Sequence, residues 1–287
     1  MDAIFDPVAR SYFRNKYGGS NTSSMDEVCV ALATTKPYSL KSDAVIEVVA
    51  DAFRSSKIRE VDFPNVAVIG NTAFNSCKEL TKAHFEGAYK VGTYAFYLCT
   101  MLSDARFPKM SMIDEFGFAN CFSLKQVDMP FVTSLGTAAF QKAGLTNAFF
   151  PRVRNIPASA FYDCSALETV DISSAESIGV NSFKECAELK KIDLPSVTSI
   201  GSTAFYKCSK LTAVIIRTTE TVCVAELDAF DGTPMFTGEG HIYVPSVMFE
   251  YYRAGYDPGM TAAGYPGLFD IMFRKIEDYP EICGSTN

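Results

Sequence analysis

The sequence predicts an α/β fold: a right-handed solenoid built from coils of about 22 residues, with a parallel β-sheet on one face and short helical turns on the other. Three observations predict it. A phenylalanine recurs at a nearly constant interval, the residues around it recur with it, and apolar and polar residues alternate in the stretch that follows. Self-similarity at a period of roughly 20–50 residues is typical of repeat proteins, whose units bury their apolar faces by stacking.

The marker phenylalanine occurs eight times, at steps of 21 or 22 residues. Its positions are Phe53, Phe74, Phe96, Phe118, Phe140, Phe161, Phe183 and Phe205. An aliphatic residue stands five positions before each marker, and a cysteine stands three positions after six of the eight. An apolar anchor, such as Leu167 or Leu211, then closes this part of the unit. The two 21-residue steps arise because the units of Phe53 and Phe140 lack one residue between marker and anchor.

A short strand follows the anchor in each unit. Stretches such as 127–130 and 192–195 alternate apolar and polar residues, which is typical of a strand with one buried side. A proline, which has no N–H to donate, ends many of these stretches. We therefore expect a column of parallel strands whose central residues point into the core. Those central residues are Val61, Ala83, Ala105, Val127, Ala148, Val170, Ile192 and Val214.

The remainder of each coil is expected to be a corner, a short extended piece, a second corner and a turn that carries the marker. Glycines such as Gly92 and Gly201 mark the second corner. The stretch 202–208 is too short for a full helix, so we expect a single helical or 3-10 turn there. The marker phenylalanines are then expected to stack as one buried column.

The unit 197–211, which reads VTSIGSTAFYKCSKL, resembles the BspA-type leucine-rich repeat. The resemblance recurs in all eight units. It implies a leucine-rich-repeat solenoid, in the shape of a horseshoe or a rod, from a family found on surface proteins of gut and oral bacteria, in parasitic protists and in phage-like proteins. It also implies a surface-binding role, on an extracellular surface or a virion-like particle, and it carries no catalytic residues.

Three segments are predicted along the chain, because the open apolar ends of a solenoid need caps. They are an N-terminal helical cap (1–44), an eight-coil solenoid (45–217), and a final irregular coil with a C-terminal cap (218–287). In the first cap, the apolar spacing over 2–17 predicts an amphipathic helix. In the last, a strand over 240–245 ends at a proline, and Ser246 is expected to begin a helix.

The bulk properties exclude several classes of partner. The net charge of −7 argues against nucleic acid, which attracts basic surfaces. No run of 18 apolar residues is present, so we expect no membrane insertion. The first 17 residues scatter charges among apolar positions and do not read as a secretory signal. A chain that stays inside, one that leaves by another route and one that has lost its signal all remain open.

The cysteines that follow the markers are predicted to be reduced, buried and metal-free, because a buried cysteine behaves as a small apolar residue. They are Cys77, Cys99, Cys121, Cys164, Cys186 and Cys208. The closely spaced cysteine pairs of zinc sites are absent. The only two histidines, His84 and His241, lie far apart in sequence, which disfavours a nucleophile–base pair. We therefore expect no catalytic residues, no cofactor and no metal.

Residues that alternate with the core positions of the strands form the outward face of the predicted sheet, where we expect binding. The candidate residues are Asp62, His84, Arg106, Gln126, Asp128, Asn147, Phe149, Thr169, Asp171, Lys191 and Asp193. His84 is expected to be solvent-exposed. Phe149 stands out as an aromatic side chain among polar ones, which is typical of a binding hot spot. The alternative is that Phe149 covers a gap left by the shortened coil at Gly144.

The sequence therefore predicts a non-catalytic interaction protein that recognises a protein or a glycan through its sheet, at a cell surface. A structural part of a phage-tail-like or surface-fibre assembly is the alternative, suggested by the aromatic C-terminal cap and the unrecognised signal. A hydrolase that uses the aspartate column is a third interpretation. It is disfavoured because a glycosidase needs two carboxylates in a cleft. Ligand, host, oligomeric state and cation binding by the aspartates stay open.

Overall fold

The computed structural model confirms the predicted class: the chain is a parallel-strand solenoid of about eight coils of about 22 residues, with little helix. The described residues are 39–43, 45–226, 228–253 and 272–284. The chain divides into a first unit (Met1–Val132 and Lys142–Leu145) and a second unit (Thr133–Gln141 and Thr146–Asn287). The helix predicted over 2–17 lies outside the described residues.

The first unit contains seven short strands among its described residues. In chain order they are β1 (Ser39–Lys41), β2 (Glu60–Asp62), β3 (Val68–Ile69), β4 (Lys82–His84), β5 (Lys90–Val91), β6 (Asp104–Arg106) and β7 (Met112–Ile113). The main sheet has the order β1-β2-β4-β6, and a second sheet of two-residue strands contains β3, β5 and β7 in that order. All these pairs are parallel. The second sheet is the short extended piece that the sequence predicts in each coil.

The second unit repeats this arrangement. Its strands are β8 (Ser134–Leu135), β9 (Asn147–Phe149), β10 (Asn155–Ile156), β11 (Thr169–Asp171), β12 (Ser177–Ile178), β13 (Lys191–Leu194), β14 (Ser199–Ile200), β15 (Ala213–Ile216), β16 (Val224–Ala225), β17 (His241–Val244) and β18 (Phe273–Lys275). On the main face β9 pairs with β11, and a further sheet has the order β13-β15-β17-β18. The short strands follow the order β10-β12-β14-β16.

The register of the main strands matches the predicted core column. Ala83 pairs with Val61 on one side and with Ala105 on the other. In the second unit Ala148 pairs with Val170. Most members of this column are buried, and Val170 is half-buried. Because side chains alternate across a strand, this register places the candidate site residues on the opposite, outward face.

The segment around each marker phenylalanine is a series of hydrogen-bonded turns, not the helical or 3-10 turn expected from its length. The residues two positions before and two positions after the marker have positive φ angles, as at Asn181 (57°) and Glu185 (63°) beside Phe183. The left-handed conformation costs a non-glycine residue roughly 1–2 kcal/mol. A compensating interaction is therefore required at these positions.

Hydrogen bonds between coils supply that compensation. The backbone N–H groups of Asn181, Phe183 and Glu185 all donate to carbonyls of the following coil, at 2.8–3.1 Å. Ser182 and Lys184, which lie between them, donate within their own coil. Every second N–H of the turn thus points along the stacking direction. The turns form a third ladder of the solenoid, alongside the two sheets.

The marker phenylalanines are buried and stacked within each unit, as predicted. In the second unit Phe161 is 0% exposed, and its ring centroid lies 5.7 Å from that of Phe140 and 5.2 Å from that of Phe183. A second set of buried phenylalanines, which the sequence analysis missed, packs against the first. Phe85 and Phe107 contact Phe96 edge-on, at 6.2 and 5.7 Å. The residue after each outward strand position therefore also belongs to the core.

The six predicted cysteines are all buried, and their thiols donate hydrogen bonds between coils. Each Sγ donates to the carbonyl oxygen of the marker phenylalanine in the preceding coil, at 2.9–3.2 Å. The pairs are Cys77–Phe53, Cys99–Phe74, Cys121–Phe96, Cys164–Phe140, Cys186–Phe161 and Cys208–Phe183. The cysteines are thus donors in the turn ladder as well as small apolar residues.

Beyond the repeats, the second unit ends in a short 3-10 helix (Pro234–Thr237), β17, helix α1 (Ser246–Arg253), β18, a second 3-10 helix (Ile276–Asp278) and helix α2 (Pro280–Cys283). The predicted strand before Pro245 and the helix that begins at Ser246 are therefore confirmed. No helix among the described residues is long and apolar enough to cross a membrane.

Candidate functional site

In the first unit, ion pairs on the outward face occupy several of the candidate charges. Lys41 Nζ lies 3.1 Å from Asp62 Oδ2. Asp104 contacts two side chains, with His84 Nε2 at 2.9 Å and the cationic Arg106 Nε at 3.5 Å. Gln126 and Asp128 are exposed, and Asp128 continues the strand column through a bridge to Arg106. Asp62 and Arg106 therefore each have an oppositely charged partner within the first unit.

His84 is buried, with 7% exposure, and the expectation that it is solvent-exposed was wrong. It lies between Asp62 and Arg106 in the strand register, and its ring is directed at Asp104. Burial raises the pKa of Asp104, but its contact with His84 and the positive charges of Arg106 and Lys82 outweigh that effect, so the pKa of Asp104 is lowered. His84 therefore contacts Asp104 from a buried position and is not exposed to a ligand.

In the second unit, the open part of the outward face lies on β9 and β11. Asn147 and Thr169 are exposed and bind each other, because Thr169 Oγ1 donates to Asn147 Oδ1 at 2.5 Å. Phe149 is 48% exposed and lies directly opposite Asp171 in the parallel register. The alternative role of Phe149 was to cover a gap at Gly144. The backbone of Phe122 already fills that space, since a Cβ added to Gly144 would lie 2.0 Å from Phe122 O.

The C-terminal segment (276–284) occupies the neighbouring part of this face, an arrangement that the sequence analysis missed. Arg217 donates to both carboxylate oxygens of Asp193, at 2.7–3.1 Å, and also to Cys283 O. Lys191 donates its ammonium group to Ile282 O. Lys191 and Asp193, which we expected on the outward face, lie there and are tied to the chain's own C-terminal segment, Lys191 directly and Asp193 through Arg217.

An apolar cluster completes the attachment of the C-terminal segment. Its buried members are Ala213, Ile215, Tyr243, Ile276 and Cys283, with Tyr279 and Ile282 packed against them. Ala213 and Ile215 occupy outward positions of β15, so they would face solvent without this segment. The outward face of the second unit is consequently covered on β15, while Lys191 on β13 and the outward residues Asn147, Phe149 and Thr169 of β9 and β11 remain exposed.

The contacts of Asp193 bear on the interpretation of the aspartate column as a hydrolase site. A glycosidase needs one carboxylic acid that donates a proton and a second carboxylate opposite it. Asp193 is instead a hydrogen-bond acceptor for the fork of Arg217, whose pKa is raised by that hydrogen bond. Among the described residues, no group of three His, Cys, Asp or Glu side chains is placed to hold a metal ion. Asp171 and Asp193 of the aspartate column therefore belong to no such group.

The buried thiols offer no nucleophile either. Burial raises the pKa of Cys77 to about 11 and that of Cys208 to about 12. It also raises the pKa values of Cys99, Cys121 and Cys186 well above the ordinary 9.0. Because the thiolate is the reactive form of cysteine, these side chains are inert at neutral pH.

Comparison with known proteins agrees with this geometry. The sequence profile of the BspA type leucine rich repeat region matches in six copies, over residues 38–146 and 133–236. The chain belongs to the BspA type leucine rich repeat family. Leucine-rich-repeat solenoids are generally non-enzymatic binding scaffolds. A comparison with curated proteins found no match to this chain.

Solved structures similar to this BspA-type chain are bacterial leucine-rich repeat proteins. The T. pallidum leucine rich repeat protein is 25% identical, with a TM-score of 0.49, over 53% of this chain and 77% of its own. A leucine-rich repeat protein from Bacteroides ovatus is 20% identical, with a TM-score of 0.38, over 82% of this chain and 76% of its own. A leucine rich cell surface protein from Faecalibacterium prausnitzii is 20% identical, with a TM-score of 0.35, over 71% of this chain and 79% of its own.

Proposed function

We propose that this BspA-type protein is a non-catalytic binding protein that recognises a protein or a glycan through the outward face of its main sheet. The cell-surface setting belongs to the same proposal and comes from the family resemblance. The open area on β9 and β11, with Asn147, Phe149, Thr169 and Asp171, is the proposed centre of contact. Arg106, Gln126 and Asp128 belong to the outward face of the first unit, which we propose separately as a contact surface.

The observation that carries the proposal is the exposure of Phe149. Nearly half of this aromatic side chain is in solvent, on a face whose other open members are polar. Exposing an aromatic ring to water is unfavourable by about 25 cal/mol per Å². A ring that packs into a partner recovers that energy, and such residues dominate the energy of many interfaces.

The test compares two exposed apolar residues of the second unit. Phe149 is 48% exposed on the outward face, and Val180 is 45% exposed at the corner before the turn. The immobilised full chain is screened against a glycan array and a protein extract, and each retained ligand is titrated against wild type, Phe149→Ala and Val180→Ala. We expect Phe149→Ala to weaken binding by about 2 kcal/mol, because a hot-spot aromatic is lost. Val180→Ala should leave the dissociation constant unchanged.

Thermal unfolding of both variants separates binding from folding. Because Phe149 makes little contact with the core, its truncation should change stability by less than about 0.5 kcal/mol. A Phe149→Ala variant that loses stability but keeps its affinity would make Phe149 a packing residue. The binding surface would then have to lie elsewhere, as on the tyrosine-containing C-terminal cap.

A further inference from the structure

Phe149 and Asp171 form a matched pair on the open part of the outward face. They are direct partners in the parallel register of β9 and β11. Strands paired in this way lie about 4.8 Å apart, and directly opposed residues point to the same side of the sheet. A planar apolar ring that is 48% exposed and a half-buried carboxylate therefore lie at neighbouring positions on the same side of the sheet.

The carboxylate of Asp171 is oriented but has no cationic partner in the part of the chain that the structure describes. Its Oδ1 accepts a hydrogen bond from the backbone N–H of Ser173 at 3.0 Å, which fixes the plane of the group. Lys191, the nearby cation on the next strand of the main face, donates instead to Ile282 O. Asp171, which is half-buried, therefore keeps a carboxylate without a cationic partner among the described residues, at the position opposite Phe149.

In the next coil, an arginine side chain is bound at the equivalent position. Asp193 occupies the same place in its strand as Asp171, and Arg217 docks on it with two nitrogens. The distances are 2.9 Å from Nε to Oδ1 and 2.7 Å from Nη2 to Oδ2. In the second unit, the chain therefore fills the carboxylate position of Asp193 with a guanidinium group and leaves that of Asp171 without a cation from the described residues.

We propose that Phe149 and Asp171 form a binding site for an arginine side chain of a protein ligand. The planar guanidinium group binds a carboxylate through two parallel hydrogen bonds and stacks on an aromatic face, and an ammonium group lacks this fork. Attraction between the cation and the ring adds to the ion pair. The inference rests on the proposed function and names the chemistry of the ligand group that the face selects.

The absence of tryptophan from the chain provides a direct reporter. Phe149→Trp keeps an aromatic ring in place and makes it the single tryptophan of the full-length protein. The fluorescence of this tryptophan is measured while the protein is titrated with Nα-acetyl-arginine amide, Nα-acetyl-lysine amide or Nα-acetyl-citrulline amide. We expect a saturable response to the arginine probe, a weaker one to lysine, and none to citrulline, which keeps the shape but has no charge.

Two further substitutions in the Phe149→Trp background locate the site. Asp171→Asn should weaken the binding of the arginine probe about tenfold, as expected for the loss of a charge-assisted pair. Asp62→Asn removes a carboxylate at the same strand position in the first unit, where Lys41 already binds it, and should have no effect. A tryptophan at position 180, made as Val180→Trp in the otherwise wild-type chain, should not respond to arginine.

The inference is overturned if the arginine probe gives no saturable response up to about 100 mM, a limit well above the millimolar affinity expected of one side chain. It is also overturned if arginine and lysine respond equally, or if Asp171→Asn changes nothing. A neutral oligosaccharide such as chitotetraose that perturbs the tryptophan where arginine does not would assign the site to a glycan. In that case the proposed function survives and the arginine site does not. Failure of the proposed function is recognised separately: the dissociation constants of the retained ligands would then be unchanged by Phe149→Ala.

Discussion

Replacing Phe161 with alanine is expected to lower the free energy of unfolding by about 3–5 kcal/mol. Phe161 is fully buried between Phe140 and Phe183, and it contacts Phe150 at 5.8 Å. The stacked rings are held at fixed spacing by the backbone ladders, so the coils cannot collapse onto the space that the ring leaves. The cost therefore includes the cavity as well as the lost apolar burial.

Chemical denaturation of wild type and Phe161→Ala measures this difference. Phe149→Ala is the matched control, because the same residue type is removed from the same unit at a site that is about half exposed. A loss below about 1 kcal/mol for Phe161→Ala would contradict the stacked core, since deletion of a buried aromatic ring cannot be that small in a packed solenoid.

The second large effect is a loss of stability at alkaline pH. Burial raises the pKa of Cys77 to about 11 and that of Cys208 to about 12, and raises those of Cys99, Cys121 and Cys186 as well. The folded state therefore keeps thiol protons that the unfolded state releases above its ordinary pKa near 9. The stabilisation is fully present below about pH 9 and is lost as the pH rises through the folded pKa values.

Each such thiol is expected to cost about 1.4 kcal/mol per pH unit within that window. Urea denaturation at pH 8, 9 and 10 measures the slope. Tyrosines and lysines also titrate here, so the informative quantity is the difference between wild type and Cys186→Ser. Serine donates a hydrogen bond without titrating, and the chain itself has Ser56 at this repeat position. Equal slopes for the two proteins would show that Cys186 does not titrate as a buried thiol.

The periodic part of the structure was predictable from sequence because stacking imposes the same environment on each coil. The strand column through Ala83 and Ala148, the second extended piece and the buried markers all follow from the repeat. The conformation of the turns was not predictable. Bulky residues such as Tyr94 and Phe116 adopt positive φ angles of 56° and 54°, which their own preferences disfavour. Hydrogen bonds to the neighbouring coil select that conformation, and a single unit does not reveal them.

The limits of the candidate site were missed for a different reason. The contacts of Lys191 with Ile282 and of Arg217 with Cys283 join residues 91 and 66 positions apart. No periodicity links such pairs, so the sequence pattern alone left the outward positions of β13 and β15 open. His84 was misplaced because alternation in a strand predicts which side a residue faces, but not how deeply its neighbours bury it. Phe149 and Asp171 were found correctly as outward residues because their strands obey the repeat.

The most direct test of the proposed binding face is to locate a retained ligand on the chain by photocrosslinking. The photoreactive p-benzoylphenylalanine is placed at position 149, and in separate proteins at 180 and at 251, where the native Val180 and Tyr251 are also exposed. Each protein is irradiated with a ligand that the wild-type chain retains. Binding through the outward face predicts crosslinks from position 149 and none from 180 or 251. Crosslinks from position 251 in helix α1, with none from 149, would contradict that binding face.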